Sequence, residues 1–134
     1  MVDWMFEVIR AFKMSEQTFF LSVQYLDRFV CTISRKLDIS ELHLIGITCM
    51  FVASKYEDIT PLYLKTMVKK VGHNKIQGKE ILDLEKEICT TLKWRFSSVP
   101  TVLEFLESYS SNNRFKDHPD LGSIQILSKC LACL

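Results

Sequence analysis

The chain has 134 residues, with 17 basic and 16 acidic side chains and a formal net charge of +1. This length is enough for one domain with a hydrophobic core, and the balanced charge neither attracts nor repels nucleic acid, so any partner must be recognised locally. The longest apolar run, residues 42–54, is shorter than the roughly 20 residues of a membrane helix, and no signal segment precedes it, so we expect an intracellular protein without membrane association.

Apolar residues recur at helical spacing in the first part of the chain, and the alternation typical of strands is absent. Residues 2–13 predict a first helix. Ser15 is a suitable N-cap for a second helix over residues 16–33. The apolar stripe of this second helix contains five residues at steps of three and four: Phe19, Val23, Leu26, Val30 and Ile33.

An almost continuous apolar segment follows. Asp38, with Glu41 three residues later, resembles a capping box and predicts a third helix that runs to about Tyr56. A helix that is hydrophobic on all sides normally lies at the centre of a domain. This helix ends close to Lys55, so a charged side chain lies near its buried part.

Two further helices are predicted before residue 97. Thr60 and Pro61 suit the start of a fourth helix, and Gly72 is expected to end it in the left-handed conformation. A fifth helix over residues 77–93 carries four apolar residues on one stripe: Ile81, Leu84, Ile88 and Leu92. Five helices with short connections predict an all-α bundle around the third helix.

The helical pattern restarts after residue 97. Residues 100–109 predict a helix that begins at Pro100, and a polar segment follows over residues 110–120. Residues 121–134 predict another helix, whose apolar face nothing left in the sequence would cover. The expected domains are therefore residues 1–97, the five-helix bundle, and residues 98–134, the start of a second, truncated helical unit.

Two opposite charges are expected beside apolar surface on neighbouring helices. Leu44 and Lys55 share one face of the third helix, and Glu85 lies near the centre of the fifth helix's apolar stripe. In one interpretation, both charges simply reach solvent. In the other, they form a clamp that holds backbone carbonyls and amides of a partner protein, with Leu44 as an apolar contact beside them.

The order of these motifs resembles the cyclin family. The motifs that carry the resemblance are MVDWMFEV, YLDRF, LHLIGITCMFVASKYEDI, DLEKEICTTLKW and PTVLEFLESY, in cyclin order and at nearly cyclin spacing. The resemblance covers essentially the whole chain and is closest to cyclins A, B and E. It implies a five-helix cyclin fold around a buried central helix, followed by the first helices of a second, incomplete cyclin fold.

The resemblance implies a regulatory subunit that binds and activates a cyclin-dependent Ser/Thr protein kinase and controls cell-cycle progression in nucleus and cytoplasm. In the family, a lysine and a glutamate that correspond to Lys55 and Glu85 hold the segment leading into the kinase's αC helix, whose placement controls kinase activity. Leu44 matches a neighbouring apolar contact. Asp27 matches an aspartate whose arginine partner would precede Met1, so a buried carboxylate without its partner is expected.

A second family site docks substrates and inhibitors that carry an arginine-x-leucine motif. Five positions of the first and third helices match it: Met1, Trp4, Glu7, Leu42 and His43. The alternative is that Trp4 only packs the first helix onto the bundle. His43 stands where similar animal cyclins carry glutamine, and Lys70 where they carry an apolar residue, which weakens the expectation that this site prefers such peptides.

No motif predicts a cofactor, a metal site or catalysis. Cys130 and Cys133 form a C-x-x-C without the second pair of ligands that structural zinc needs. The basic segment 69–79 lacks interleaved aromatics, so we expect a solvated loop or a contact with an anionic part of a partner, and no nucleic-acid binding. Two other classes stay open: a cyclin-fold transcription adaptor, with a basic face and without the Lys55 and Glu85 pair, and a truncated inactive cyclin fragment.

Overall fold

The computed structural model describes residues 1–111 and, beyond them, only residues 122, 126 and 128. Its helices are α1 (Val2–Ala11), α2 (Glu16–Thr32), α3 (Glu41–Glu57), α4 (Leu64–Thr66), a π-helical turn (Met67–Val71), α5 (Gly78–Thr91) and α6 (Val102–Ser110). The predicted all-α architecture is confirmed for the described residues, none of which lies in a strand. The predicted helix over residues 121–134, including Cys130 and Cys133, lies outside the described residues except for the three positions named above.

The third helix is the centre of the bundle. Every residue from Ile45 to Ser54 is buried, and α3 packs against α1, α2 and α5. Gly46 allows α1 to approach α3 closely, because a Cβ atom there would lie 3.0 Å from Met1 Sδ and 3.6 Å from the Trp4 ring. A helix covered on several sides needs no polar face, which explains the continuous apolar run in the sequence.

Ser15 caps α2 as predicted, since its Oγ accepts a hydrogen bond from the Thr18 amide at 3.0 Å. Asp58, which follows α3, strengthens the same end of α2. Its carboxylate accepts hydrogen bonds from the Thr18 hydroxyl at 2.8 Å and from the Ser15 amide at 3.3 Å. A carboxylate at a helix N-terminus is stabilised by the free amides and by the helix dipole. Asp58 therefore ties the end of α3 to the start of α2.

Half of the predicted capping box at α3 forms. The Glu41 carboxylate accepts a hydrogen bond from the Asp38 amide at 3.2 Å, but the N-cap is Ser40, and its side chain makes no capping bond. Arg35 also binds Glu41 at 2.8 Å and reaches Glu87 on α5 at 3.0 Å. The Arg35 guanidinium lowers the pKa of Glu41. These exposed contacts link the α2–α3 connection to α5.

The fourth predicted helix is shorter than expected and is wound differently. Residues 58–63, which include Pro61, lie outside any helix, and α4 begins at Leu64. The predicted left-handed conformation of Gly72 is wrong, because its φ is −83° and His73 and Asn74 carry the positive φ angles, 49° and 58°. Glycine has a different role at this position. A Cβ atom on Gly72 would lie 3.2 Å from the Val68 carbonyl oxygen.

Two consecutive residues with positive φ angles end α5. They are Lys93 at 53° and Trp94 at 58°. The Trp94 amide donates to the Cys89 carbonyl at 2.9 Å, which closes the last turn of the helix. The chain then reverses, and the Phe96 ring comes to 5.6 Å from the Tyr56 ring at the end of α3.

We expect Lys93→Gly to raise the free energy of unfolding by up to about 1 kcal/mol, because glycine adopts a positive φ without steric cost. Lys86→Gly is the matched control on the exposed face of α5. It should lower the free energy of unfolding by about 1 kcal/mol, because glycine loses more freedom within a helix. Urea unfolding followed by circular dichroism measures both, and equal destabilisation would contradict the left-handed turn.

The chain divides into two compact units, Met1–Phe96 and Ser97–Leu134. In the second unit, α6 begins with a capping box, in which Thr101 Oγ1 accepts from the Glu104 amide at 3.2 Å and Glu104 accepts from the Thr101 amide at 2.8 Å. The assignment of residues 98–134 to the start of a second cyclin fold stays a prediction. Over the described residues, no helix has the length and apolar character needed to cross a membrane.

Candidate functional site

Lys55 and Glu85 form an ion pair between the last turn of α3 and the middle of α5, in which Lys55 Nζ contacts Glu85 Oε1. The two helices pack against each other, so these positions face the same edge of the bundle. The Lys55 side chain is 40% exposed and that of Glu85 is 17% exposed. The structure thus brings together the two charges that the sequence placed on neighbouring helices.

Phe51 gives the Lys55 side chain a second contact. Phe51 lies one turn earlier on α3, and its ring centroid is 4.3 Å from Lys55 Nζ. A cation over an aromatic face is attracted by the ring quadrupole. Lys55 is therefore held by a ring and a carboxylate and is not a freely moving helix end. An ammonium group has three donors, so Lys55 retains N–H groups, and Glu85 retains Oε2, for contact with a partner.

Leu44 does not lie beside this pair. It is half-buried near the start of α3, and the eleven residues between it and Lys55 correspond to about 16 Å along the helix. The expected contact of Leu44 beside Lys55 and Glu85 is therefore wrong, because a helical wheel shows angular position and omits distance along the axis.

A cavity of about 240 Å³ lies next to the ion pair. Besides Lys55 and Glu85, five side chains from α3, α5 and the turn after α5 line it: Val52, Tyr56, Cys89, Trp94 and Phe96. Trp94 is 70% exposed and Tyr56 is 47% exposed. These lining residues were not among the candidates that the sequence indicated. The available signal was the aromatic residue after Lys55 and the two aromatic residues at the end of the fifth helix.

The lining of this cavity is neutral apart from the Lys55 and Glu85 pair. Burial raises the pKa of the Cys89 thiol, which is therefore protonated at neutral pH and contributes apolar surface. Behind Phe96, burial also raises the pKa of Tyr25, whose hydroxyl has no hydrogen-bond partner among the described residues. The surface thus combines an apolar cavity with one donor group and one acceptor group.

Asp27 lies on α2 and is exposed. The expectation of a buried carboxylate without its partner is therefore wrong for this chain. An exposed carboxylate keeps its hydration, so it needs no arginine to compensate for burial. Any role of Asp27 in kinase binding stays a prediction.

The second predicted site forms around Trp4. The Trp4 ring on α1 and the His43 ring at the start of α3 have centroids 4.4 Å apart. Met1 is 43% exposed, Glu7 is exposed and Leu42 is half-buried. Trp4 and Glu7 also line a separate cavity of about 220 Å³, whose lining does not include the other three predicted residues. Trp4 therefore packs α1 onto α3 and also contributes to a surface cavity.

His43 makes folding sensitive to acid. Partial burial, with the positive charges of His73 and Lys75, lowers the pKa of His43. The unfolded chain therefore binds a proton on His43 more readily than the folded chain does. The resulting contribution to the free energy of unfolding is complete above the unfolded-state pKa and is lost as the pH falls through the folded-state pKa. We expect wild type to lose more thermal stability than His43→Gln between about pH 7.5 and about pH 5.5. Identical losses in melting temperature would contradict this prediction.

Within the part of the chain that the structure describes, no three His, Cys, Asp or Glu side chains form a group that could hold a metal ion.

Over the described residues, the fold is an all-helical bundle around a buried central helix, with the Lys55 and Glu85 pair on its surface. The family model for the cyclin N-terminal domain matches residues 1–97. This chain belongs to the cyclin family. A viral cyclin from herpesvirus saimiri has the same fold, with a TM-score of 0.78 and 22% sequence identity, over 98% of this chain and 56% of the viral one.

Relatives with assigned names agree with the resemblance to cyclins A, B and E. The chain is 36% identical to a G2/mitotic-specific cyclin-B of Dictyostelium discoideum, 35% identical to a G1/S-specific cyclin-E of Drosophila melanogaster and 30% identical to cyclin-A1-2 of Arabidopsis thaliana. The alignments cover 82%, 84% and 99% of this chain, respectively. They cover only 24%, 16% and 28% of the relatives, so the chain spans less than a third of their length.

Proposed function

We propose that this chain is a regulatory subunit that binds and activates a cyclin-dependent Ser/Thr protein kinase and so controls cell-cycle progression. The observation that supports the proposal best is the Lys55 and Glu85 pair beside an apolar cavity. The pair joins α3 to α5 and offers a partner both a hydrogen-bond donor and an acceptor at a defined place. Membership of the cyclin family supports the same function.

The surface suits the segment that leads into the kinase's αC helix. The first amides of a helix have no partners within it and carry the positive end of its dipole. Glu85 Oε2 can accept hydrogen bonds from such amides, and Lys55 can donate to carbonyl groups of the preceding segment. The cavity between Val52, Tyr56 and Phe96 takes an apolar side chain of the same segment.

Activation follows from the placement of αC. A glutamate of this helix must meet the strand lysine that positions the ATP phosphates. A rigid bundle that holds the start of αC restricts where that glutamate can lie, and so stabilises the active arrangement. In this proposal the kinase performs the chemistry, and the cyclin chain contributes binding energy alone.

Leu44 and Asp27 are kinase-binding candidates that lie apart from the pair. Leu44 is near the opposite end of α3, and Asp27 is exposed on α2. They would extend the contact surface beyond the αC segment. We also propose that the protein acts in nucleus and cytoplasm, where its kinase and substrates are expected.

The surface around Trp4 is proposed to dock peptides of substrates or inhibitors. Its candidates are the five residues matched by the resemblance: Met1, Trp4, Glu7, Leu42 and His43. Trp4 combines partial burial with a place in an open cavity, as an apolar anchor site requires. For a peptide of the arginine-x-leucine class, Glu7 is the carboxylate that would face the arginine.

A cyclin-fold transcription adaptor has less support. It should lack the Lys55 and Glu85 pair, and the structure contains that pair. It should also carry a broad basic face for DNA, whereas the formal net charge is +1.

Copurification with a panel of cyclin-dependent kinases tests the proposal. The wild-type chain should be retained by at least one kinase and should raise its phosphorylation of histone. Retention without activation would reject the regulatory role. If no kinase is retained, thermal melting separates two cases: a broad transition with dye binding would indicate an inactive fragment, and a sharp one would reject kinase binding by a folded chain.

A further inference from the structure

A groove runs between α1 and the π-helical turn. Its volume is about 220 Å³, and most of its lining is apolar: Trp4, Val8, Ala11, Phe12 and Val71. Such a groove can take one or more apolar side chains of an extended peptide. Apolar surface alone does not identify the peptide. The charged side chains at the groove therefore determine which peptides it selects.

The wall opposite α1 is cationic. Residues 59–79 contain five lysines and one histidine, but no aspartate or glutamate. Lys70 and His73 line the groove, and Lys70 Nζ is 6.0 Å from the Phe12 ring centroid. Lys75 is exposed in the segment between the π-helical turn and α5.

Positive charge also lies near the Trp4 ring. The His43 ring packs against Trp4, tilted by 39° with centroids 4.4 Å apart, and partial burial together with the charges of His73 and Lys75 lowers the pKa of His43. Among the residues that the structure describes, Glu7 is the only carboxylate that lines the groove. An arginine of a docked peptide would therefore meet the Glu7 carboxylate, but also the repulsive ammonium group of Lys70 and the positive charge of the lysine-rich segment that contains it.

We infer that this groove binds a linear peptide in which large apolar residues are flanked by aspartate or glutamate, and that Lys70 and His73 select this peptide over one that carries arginine. The inference rests on the peptide-docking part of the proposed function and changes its expected specificity. Lys70 supplies an ammonium group and His73 an N–H donor for the peptide carboxylates. Trp4 and Phe12 supply the apolar contact.

Fluorescence anisotropy with labelled peptides tests the inference. The probe is a short fluorescein-labelled peptide with a Leu-x-Phe core flanked by glutamates, and two matched versions carry glutamine or arginine in place of the glutamates. At physiological ionic strength, the full chain should bind the glutamate peptide about tenfold or more tightly than the arginine peptide. The glutamine peptide should bind with intermediate affinity.

Lys70→Glu/His73→Asp should reverse this order of affinities. Both positions are exposed, and aspartate tolerates the positive φ of His73, so the variant should fold. Lys69→Glu is the control, because it makes the same change of charge on an adjacent exposed residue outside the lining. It should change affinity for the glutamate peptide less than about threefold, since solvent and salt screen its charge.

The outcomes separate the inference from the function on which it rests. Tighter binding of the arginine peptide, or an unchanged order in Lys70→Glu/His73→Asp, overturns the inference and leaves peptide docking in place. If none of the three peptides binds, both the inference and the docking function are overturned, while kinase binding is decided by copurification.

Discussion

Exchanging the charges in Lys55→Glu/Glu85→Lys is expected to weaken kinase binding strongly and leave the chain folded. The ion pair can re-form with its ends reversed, and the lost contact of Lys55 with the Phe51 ring is worth about 1 kcal/mol, so the free energy of unfolding should fall by no more than about that. The donor and acceptor offered to the kinase are reversed, however. Binding should weaken by about 2 to 5 kcal/mol, as expected when buried charged hydrogen bonds at an interface are lost.

The exchange separates the two roles of the pair. Lys55→Ala/Glu85→Ala should lose binding to a similar extent. Exchanging Asp83 and Lys86, an exposed pair 3.8 Å apart on the same helix, is the control and should leave kinase affinity unchanged. Calorimetric titration with the retained kinase and urea unfolding provide the two measurements. Wild-type affinity in the Lys55 and Glu85 exchange would reject the clamp.

Phe29→Ala is expected to lower the free energy of unfolding by about 3 to 5 kcal/mol, because it removes a large buried side chain and leaves a cavity. Phe29 is 0% exposed, whereas the adjacent Val30 is 40% exposed. Val30→Ala is therefore the matched control and should cost less than about 1 kcal/mol. Urea unfolding followed by circular dichroism compares the two variants.

A folded reference keeps this test informative if Phe29→Ala does not fold. Phe29→Leu keeps most of the apolar volume and should cost less than the alanine variant, so it can be measured at the same temperature. Equal losses for Phe29→Ala and Val30→Ala would show that α2 buries a different face.

The second helix shows how accurately helical periodicity predicts which residues are buried. Its predicted stripe correctly contains Phe19 and Leu26, but Val30 is exposed, and the buried face also includes Tyr25 and Phe29. Helical spacing locates an apolar face only approximately, since residues at its edges are buried or exposed according to their neighbours. For α2 those neighbours are mainly on α3.

Local sequence determined the parts of the fold that depend on nearby residues. Ser15 could be recognised as a cap because its partner lies three residues away. The apolar run of α3 identified the central helix, because a helix without a polar face must be covered. The same local patterns placed Lys55 and Glu85 on neighbouring helices, and the order of motifs indicated the cyclin family.

Tertiary structure decided the features that depend on distances between segments. Contact between α3 and α5 joined Lys55 to Glu85, and the turn after α5 brought Phe96 to Tyr56 and so formed the cavity beside them. Leu44 remained about 16 Å from the pair along the helix. These distances follow from the packing of residues far apart in the chain, which spacing within one helix does not specify.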